Sequence, residues 1–299
     1  MIPPVIKWAG SKRRVAAAIA GLFSTCNRYL EPFVGGGALL PFRPMREAVA
    51  GDIIKELIEL WQQIQTDPTR VAAEYRQRWE RRQSEGHTVF YAIRDRFNST
   101  RDPFDFLFLS RTCVNGLIRF NSDGEFNNSL HHTRKGIHPF RMERVLCDWS
   151  AVLEGVRFIA CDYREILAMA DERDLVFLDP PYAGNRGRYR KEIFDFAAFW
   201  GELERLSRIG ARWVLTMDGR AGARAYQANV PPALYRASLV LKTGHSPFTR
   251  LMNTGLDMVQ ESVYLNFNPT TEQLGRFNQL RAEPILAAGS HDVQQHLSL

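Results

Sequence analysis

"DLVFLDPPYAG", residues 174–184, carries both a fold signal and a chemical one. Leu175, Val176, Phe177 and Leu178 run without polar alternation, as expected of a strand buried on both faces of a parallel sheet. The run stops on Asp179, stiffens through Pro180 and Pro181, and continues with the aromatic Tyr182. An ionised aspartate can only accept hydrogen bonds, and the carbonyl of a proline peptide at Pro180 is a second acceptor, held in one direction because the ring locks φ. Two fixed acceptors suit an amino group with two N–H bonds. Drawing both protons toward acceptors weakens the conjugation of the nitrogen lone pair with an aromatic ring, so a poor aryl amine nucleophile becomes able to attack an electrophilic carbon. Tyr182 offers a planar face on which that ring can stack. Asp-Pro-Pro also serves as plain strand-to-loop punctuation, so the neighbouring segments have to decide between the two uses.

Outward from this stretch, strands and helices alternate. Strands are expected at 156–162, 175–179, 212–218, 233–241 and 261–267, with helices at 163–170 and about 195–208. Before them come a helix over 12–23 with Ser11 as its N-cap, a strand over 28–31, a glycine turn Phe33-Val34-Gly35-Gly36-Gly37, a further helix, and a strand over 48–50 ending at Asp52. This pattern predicts a doubly wound α/β sheet covered on both faces. Residues 56–149 interrupt it, first with basic helices (53–65, 70–83) and then, over 103–147, with a loop-rich stretch of Asn, Gly, His and Arg. The division expected is 1–55 plus 150–270 as one unit, 56–149 as an insert, and 271–299 as a polar, partly disordered tail.

Glycines after a first strand let the backbone approach a ligand without a Cβ in the way. "EPFVGGGA" (31–38) stands in that place, and Asp52 follows where a carboxylate can accept from the hydroxyls of a ribose. The spacing is not that of a dinucleotide fingerprint, so a ribose-bearing cofactor is implied and a dinucleotide is not. Cys26, Cys113, Cys147 and Cys161 lie far apart without metal-ligand spacing, so neither a zinc site nor a disulfide framework is expected, and they read as small apolar fillers. No apolar run is long enough for a membrane span, and the start lacks a secretory pattern, which points to a cytoplasmic protein. A formal charge of +6 permits a polyanionic partner.

Together with "KWAGSK" at 7–12, these motifs resemble the Dam-type, class D12 family of S-adenosylmethionine-dependent DNA adenine methyltransferases. The resemblance runs to about residue 267 and implies a Rossmann-like methyltransferase sheet with an inserted target-recognition domain. It further implies that Trp8, Lys12, Phe33, Gly35, Gly37, Asp52, Asp162 and Asp179 form the cofactor site. In it Gly35 and Gly37 pass under the methionine end, Asp52 holds the ribose and Asp162 meets the adenine amine. Asp179 and Pro180 would orient the amine of an adenine flipped out of double-stranded DNA, and Tyr182 would stack on its ring. No metal is required, and the chain is taken as a monomer.

The insert is the expected DNA reader. Arg70, Arg76, Arg78, Arg81 and Arg82 fall on a helix where Glu74, Glu80 and Glu85 interleave, so a solvated face is the better reading there. Residues 111–127, "RTCVNGLIRFNSDGEFN", resemble the family's recognition hairpin, which assigns DNA contacts to Asn115, Arg119 and Asn121, with Arg134 and Lys135 on phosphates and Arg119 on the first guanine of a GATC-like site. Arg186, Arg188, Arg190 and Lys191 are expected to clamp the strand beside the flipped base. Position 114 is Val where GATC-methylating relatives carry an aromatic wedge. A methyltransferase for RNA bases with the same cofactor and an inactive DNA-binding relative are the alternatives.

Overall fold

The apolar run at 175–178 sits at the centre of the sheet, as its lack of alternation requires. The structure, a computed structural model, describes residues 2–133, 135–181, 194–221, 224–225, 230–245 and 258–280, without the side chains of 218–221, 224–225, 242–245 and 258–260. Five strands run parallel: β1 (Tyr29–Glu31), β2 (Ala48–Asp52), β3 (Val156–Ala160), β4 (Leu175–Leu178) and β5 (Arg212–Ala221). A two-residue β6 (Arg224–Ala225) pairs with the end of β5, and β7 (Ala237–His245) and β8 (Met258–Leu265) close one edge antiparallel. The order is β3-β2-β1-β4-β5-β8-β7.

Chain direction along the sheet reverses between β1 and β4, which pair through Tyr29↔Leu175 and Leu30↔Val176. Ligands of open α/β sheets bind at such a switch point, beyond the carboxyl ends of the strands. The strand ends that matter therefore carry Glu31 and Asp179. Alternate residues of these strands feed two cores. Tyr29, Leu175 and Phe177 pack on the side of helices α1 (Ala16–Ala20), α2 (Lys55–Thr66), α3 (Pro68–Glu85), α4 (Thr88–Thr100), α5 (Pro103–Thr112) and α6 (Pro139–Val152). Leu30, Val176 and Leu178 pack against α7 (Tyr163–Ala168) and α8 (Phe196–Ile209).

Several expectations are corrected. The helix over 12–23 is a 3-10 turn at Lys12–Arg14 followed by the five-residue α1, because Val15 leaves helical geometry (φ −114°, ψ 0°) and Ser11 makes no capping bond. Lys12 is turned inward there. The helix expected between the glycine turn and β2 is only a 3-10 turn at Leu40–Phe42, since Arg43 is held extended before Pro44. The described residues of 113–138 are loop with one short 3-10 turn, as expected, but the two ends of 103–147 are helical, in α5 and the start of α6; Asp102 caps α5 through the amides of Phe104 and Asp105, and α5 is buried nearly all round, so no amphipathic stripe marks it. Of the cysteines, Cys113 is buried but Cys147 is exposed, so the filler reading fails for Cys147.

The tail begins with an ordered helix, α9 (Thr271–Gln279), started by a capping box of Thr270 and Gln273. Gln273 Nε2 donates to the Leu22 carbonyl at 2.7 Å, and Phe277 is wholly buried against the α1 side of the core. Its polar sequence hides these two anchors. Residues 281–299 lie outside the described part. Phe277→Ala should cost about 3–5 kcal/mol in a urea unfolding curve read by circular dichroism, because the removed ring leaves a cavity beside α1.

Candidate active site

Asp179 leaves β4 toward the switch point and meets Lys12 and Thr216 from other parts of the chain. Lys12 Nζ lies 2.9 Å from its Oδ1, and the Thr216 hydroxyl on β5 donates to the same oxygen at 2.9 Å. Glu261 Oε1, from β8, stands 3.7 Å from the same ammonium, which also donates to the Gly10 carbonyl at 3.1 Å. The Lys12 side chain is 1% exposed, so its charge depends on these oxygens. With one oxygen anchored twice, the plane of the Asp179 carboxylate is set. Pro180 follows buried and Pro181 exposed, while Tyr182 lies outside the described residues, as do Arg186, Arg188, Arg190 and Lys191.

The glycine turn after β1 is shaped by two tryptophans. Gly35 and Gly37 take left-handed φ values of +43° and +66°. A Cβ on Gly35 would stand 2.5 Å from Trp8 Nε1, so the indole rests directly on the turn. From the other side Trp61 Nε1 donates to the Gly35 carbonyl at 3.0 Å. Asp52, at the end of β2, accepts from the amides of Gly35 and Ile54 at 3.1 Å each. Burial pushes its acid up to about 6, against the pull of those amides.

Glu31 ends β1 beside this turn and is buried, its Oε2 accepting from the Tyr29 hydroxyl at 3.0 Å. Desolvation first, with the charge of Asp179 adding to it, raises its acid to about 8 against the opposing Tyr29 bond. Asp162, after β3, caps α7 by accepting from the Arg164 amide at 3.0 Å, and it pairs with the Arg164 guanidinium at 2.7 Å. Phe33 stacks on the adjacent Tyr163 at 5.3 Å between ring centres.

Trp8, Lys12, Gly35, Asp52 and Asp179 are thus brought to one place, with Gly37 behind the turn against Trp61. The hairpin approaches this cluster where Gly116 lies against Lys7, the neighbour of Trp8. Asn115 is exposed in a left-handed conformation (φ 57°), and a Cβ on its neighbour Gly116 would stand 2.5 Å from Lys7. Exposed Arg119 donates from Nε to Asn127 Oδ1 at 2.8 Å. The Asn121 amide is engaged in its own turn, accepting from the amides of Asp123 and Glu125. Lys135 is exposed, and Arg134 lies outside the described residues.

Three site residues escaped the sequence reading. Glu31 stood inside the quoted "EPFVGGGA" at a strand end, which was signal enough. Thr216 and Glu261 belong to unremarkable strand text and are found only through the sheet order. Among the described residues no group of three or more His, Cys, Asp and Glu is placed to hold a metal ion, and no helix is long and apolar enough to cross a membrane.

Residues 8–210 match the family model described as D12 class N6 adenine-specific DNA methyltransferase. Over 185 residues the chain is 30% identical to a DNA adenine methylase of Haemophilus influenzae, covering 60% of this chain and 64% of that protein. It is 29% identical over 202 residues to the type II methyltransferase M.MjaIII of Methanocaldococcus jannaschii, covering 60% and 69%. With a DNA adenine methylase of Salmonella typhi it shares 32% over 184 residues, covering 60% and 64%. The chain therefore spans less than two thirds of the Haemophilus and Salmonella relatives it matches.

Two outcomes follow from this geometry. Gly35→Ala should displace the Trp8 ring and strain the left-handed turn, shifting tryptophan emission and costing about 1–3 kcal/mol of stability. Folded Glu31 binds its proton up to about pH 8, against an ordinary value of 4.5, so its contribution to stability is present in acid and falls as pH rises across that window. Glu31→Gln keeps the neutral form throughout, and its melting temperature relative to wild type should climb between pH 5 and pH 9.

Proposed function

The chain belongs to the D12 class N6 adenine-specific DNA methyltransferase family, and from that premise we propose that it transfers the methyl group of S-adenosylmethionine to the N6 amine of adenine in a short, GATC-like sequence of double-stranded DNA. The carrying observation is Asp179, fixed by Lys12 and Thr216 at the switch point beside the glycine turn. In this reading residues 1–55 and 150–270 do the chemistry in the cytoplasm and 56–149 read the DNA.

The residues present fit the cofactor. Asp52 uses its oxygens on the amides that shape the turn yet keeps acceptor capacity for ribose hydroxyls, since a carboxylate has about four lone-pair sites. Phe33 supplies an aromatic wall beside Asp162, whose carboxylate would meet the adenine amine of the cofactor. Trp8, Gly35 and Gly37 would line its methionine end, with Lys12 at the boundary with Asp179. Bound there, S-adenosylmethionine supplies an electrophilic methyl on a sulfonium sulfur.

The protein then has to hold the amine nitrogen. Asp179 and the carbonyl at Pro180 would accept hydrogen bonds from its two N–H groups and leave the lone pair free for the methyl; as the C–N bond forms and the methyl–sulfur bond breaks, the nitrogen would shed one proton by way of Asp179 to water, with Tyr182 stacked on a base flipped from the duplex. Lys12 acts through Asp179, holding its carboxylate in place.

Label transfer from isotopic S-adenosylmethionine to unmethylated genomic DNA, with modified adenines mapped by sequencing, tests the reading; label on RNA or protein instead would overturn it. Asp179→Ala should lower kcat by at least about a hundredfold while DNA affinity stays within about threefold. Near-normal turnover in that variant would remove the role given to Asp179.

A further inference from the structure

The hairpin at 113–130 has no regular strands: it is joined by the isolated bridges Cys113↔Leu130 and Phe120↔Phe126 and by backbone bonds from Val114, Asn121 and Asn127 to the carbonyls of Ser129, Glu125 and Arg119. A two-stranded hairpin is marginal by itself in water. The end of α4 adds two anchors from outside it.

Asn98 presents its side-chain amide to the Phe126 backbone. Its Oδ1 accepts from the Phe126 N–H at 2.7 Å, and its Nδ2 donates to the Phe126 carbonyl at 3.2 Å. This is the pair of bonds that a neighbouring strand would make, supplied by one side chain. Arg101, the residue that stops α4, donates from its guanidinium to the Gly124 carbonyl at the hairpin tip. The guanidinium lies 5.3 Å from the centre of the Phe97 ring and 5.6 Å from that of Phe120, and it stands 3.6 Å from Glu56 Oε1 on α2. Phe97, Phe120 and Phe126 pack on one another beneath it.

Arg101 reaches this place at a conformational cost. Its φ is +58°, and among the described residues only it and Asn115 carry a positive φ without being glycine. A long side chain is held in the left-handed region only where its surroundings fix it.

We propose that Asn98 and Arg101 are positioning residues for sequence readout. They lock the strand pair around Phe120 and Phe126 so that Arg119 stands at one height and direction over a base edge. The inference rests on the proposed reading of DNA by this hairpin. Neither residue touches the base or the reacting atoms, and Glu56 ties the clamp to the helix that follows Asp52, on the sheet side of the molecule.

The test compares steady-state methylation of a duplex carrying the mapped target with one changed at a single base pair, for wild type, Asn98→Ala, Arg101→Gly and Arg119→Ala. Glycine accepts the left-handed backbone at 101 without strain, so that variant keeps its fold even if Asn98→Ala does not. Both clamp variants should raise the KM for DNA and reduce discrimination by about tenfold or more, the size of one lost base contact, with kcat at saturating DNA and the KM for S-adenosylmethionine within about threefold. Unchanged discrimination in Arg101→Gly, where Arg119→Ala loses it, overturns the positioning role alone. Unchanged discrimination in Arg119→Ala overturns the hairpin reading and the inference with it. A parallel fall in kcat and in affinity for S-adenosylmethionine marks a general structural defect and also overturns the positioning role.

Discussion

Everything around the switch point depends on one buried ammonium. Lys12 is almost wholly removed from water and sits between the carboxylates of Asp179 and Glu261. A lone buried charge costs several kcal/mol, so the segment before α1 is tied to the ends of β4 and β8. The chain from residue 3 to residue 12 accordingly runs as an irregular strap. Its carbonyls at Pro3 and Pro4 accept from Trp149 and Arg111 of the helical part, Lys7 abuts Gly116 at the root of the hairpin, and Trp8 covers the glycine turn. One short strap thus touches the helical excursion, the hairpin, the turn and the candidate catalytic carboxylate.

What could be read in the sequence was the chemistry that is local. A strand buried on both faces, a carboxylate at its end and prolines behind it are adjacent residues, and a glycine turn with an acid on the next strand needs only short-range order. These placed the sheet and its switch point, with Asp52 and Asp179 at strand ends; Trp8 and Lys12 entered only through the family resemblance. What could not be read was pairing across long separations. Nothing beside Thr216 or Glu261 in the sequence says that their strands lie next to β4 and close to Lys12, because the order β4-β5-β8 joins distant segments. Lys12 itself, followed by Arg13 and Arg14, resembles a solvated helical face until Asp179 supplies its partner.

Helices were misread where burial removes the usual pattern. A helix covered on all sides has no polar stripe, so α5 looked like a loop, and its internal Asp105 is satisfied only by Arg78 and Arg96 from α3 and α4. The opposite case is α9, where a polar surface conceals one buried ring and one glutamine bonded to a distant carbonyl. In both, the deciding partners come from outside the element. The excursion between β2 and β3 also shares its core with one face of the sheet, Trp61 lying parallel to Phe158 of β3 and tilted against Trp149 of α6, each within about van der Waals reach. A boundary at residue 56 therefore does not divide the core.

The distribution of paired and unpaired arginine charge separates two surfaces that look alike in the sequence. On α3 three of the five arginines are paired within the protein: Arg76 meets Glu143, Arg78 meets Glu74, Asp102 and Asp105, and Arg81 meets Glu85. Bringing phosphates to that helix would mean exchanging existing pairs, with little gain. Arg119 is held instead by the neutral amide of Asn127, which orients the guanidinium without cancelling its charge. A charge kept whole and aimed is what a guanine edge requires, since two parallel N–H donors must meet O6 and N7 together. In the proposed reading, arginine density along the chain does not identify the recognition surface; what singles out Arg119 is a guanidinium oriented by a neutral partner.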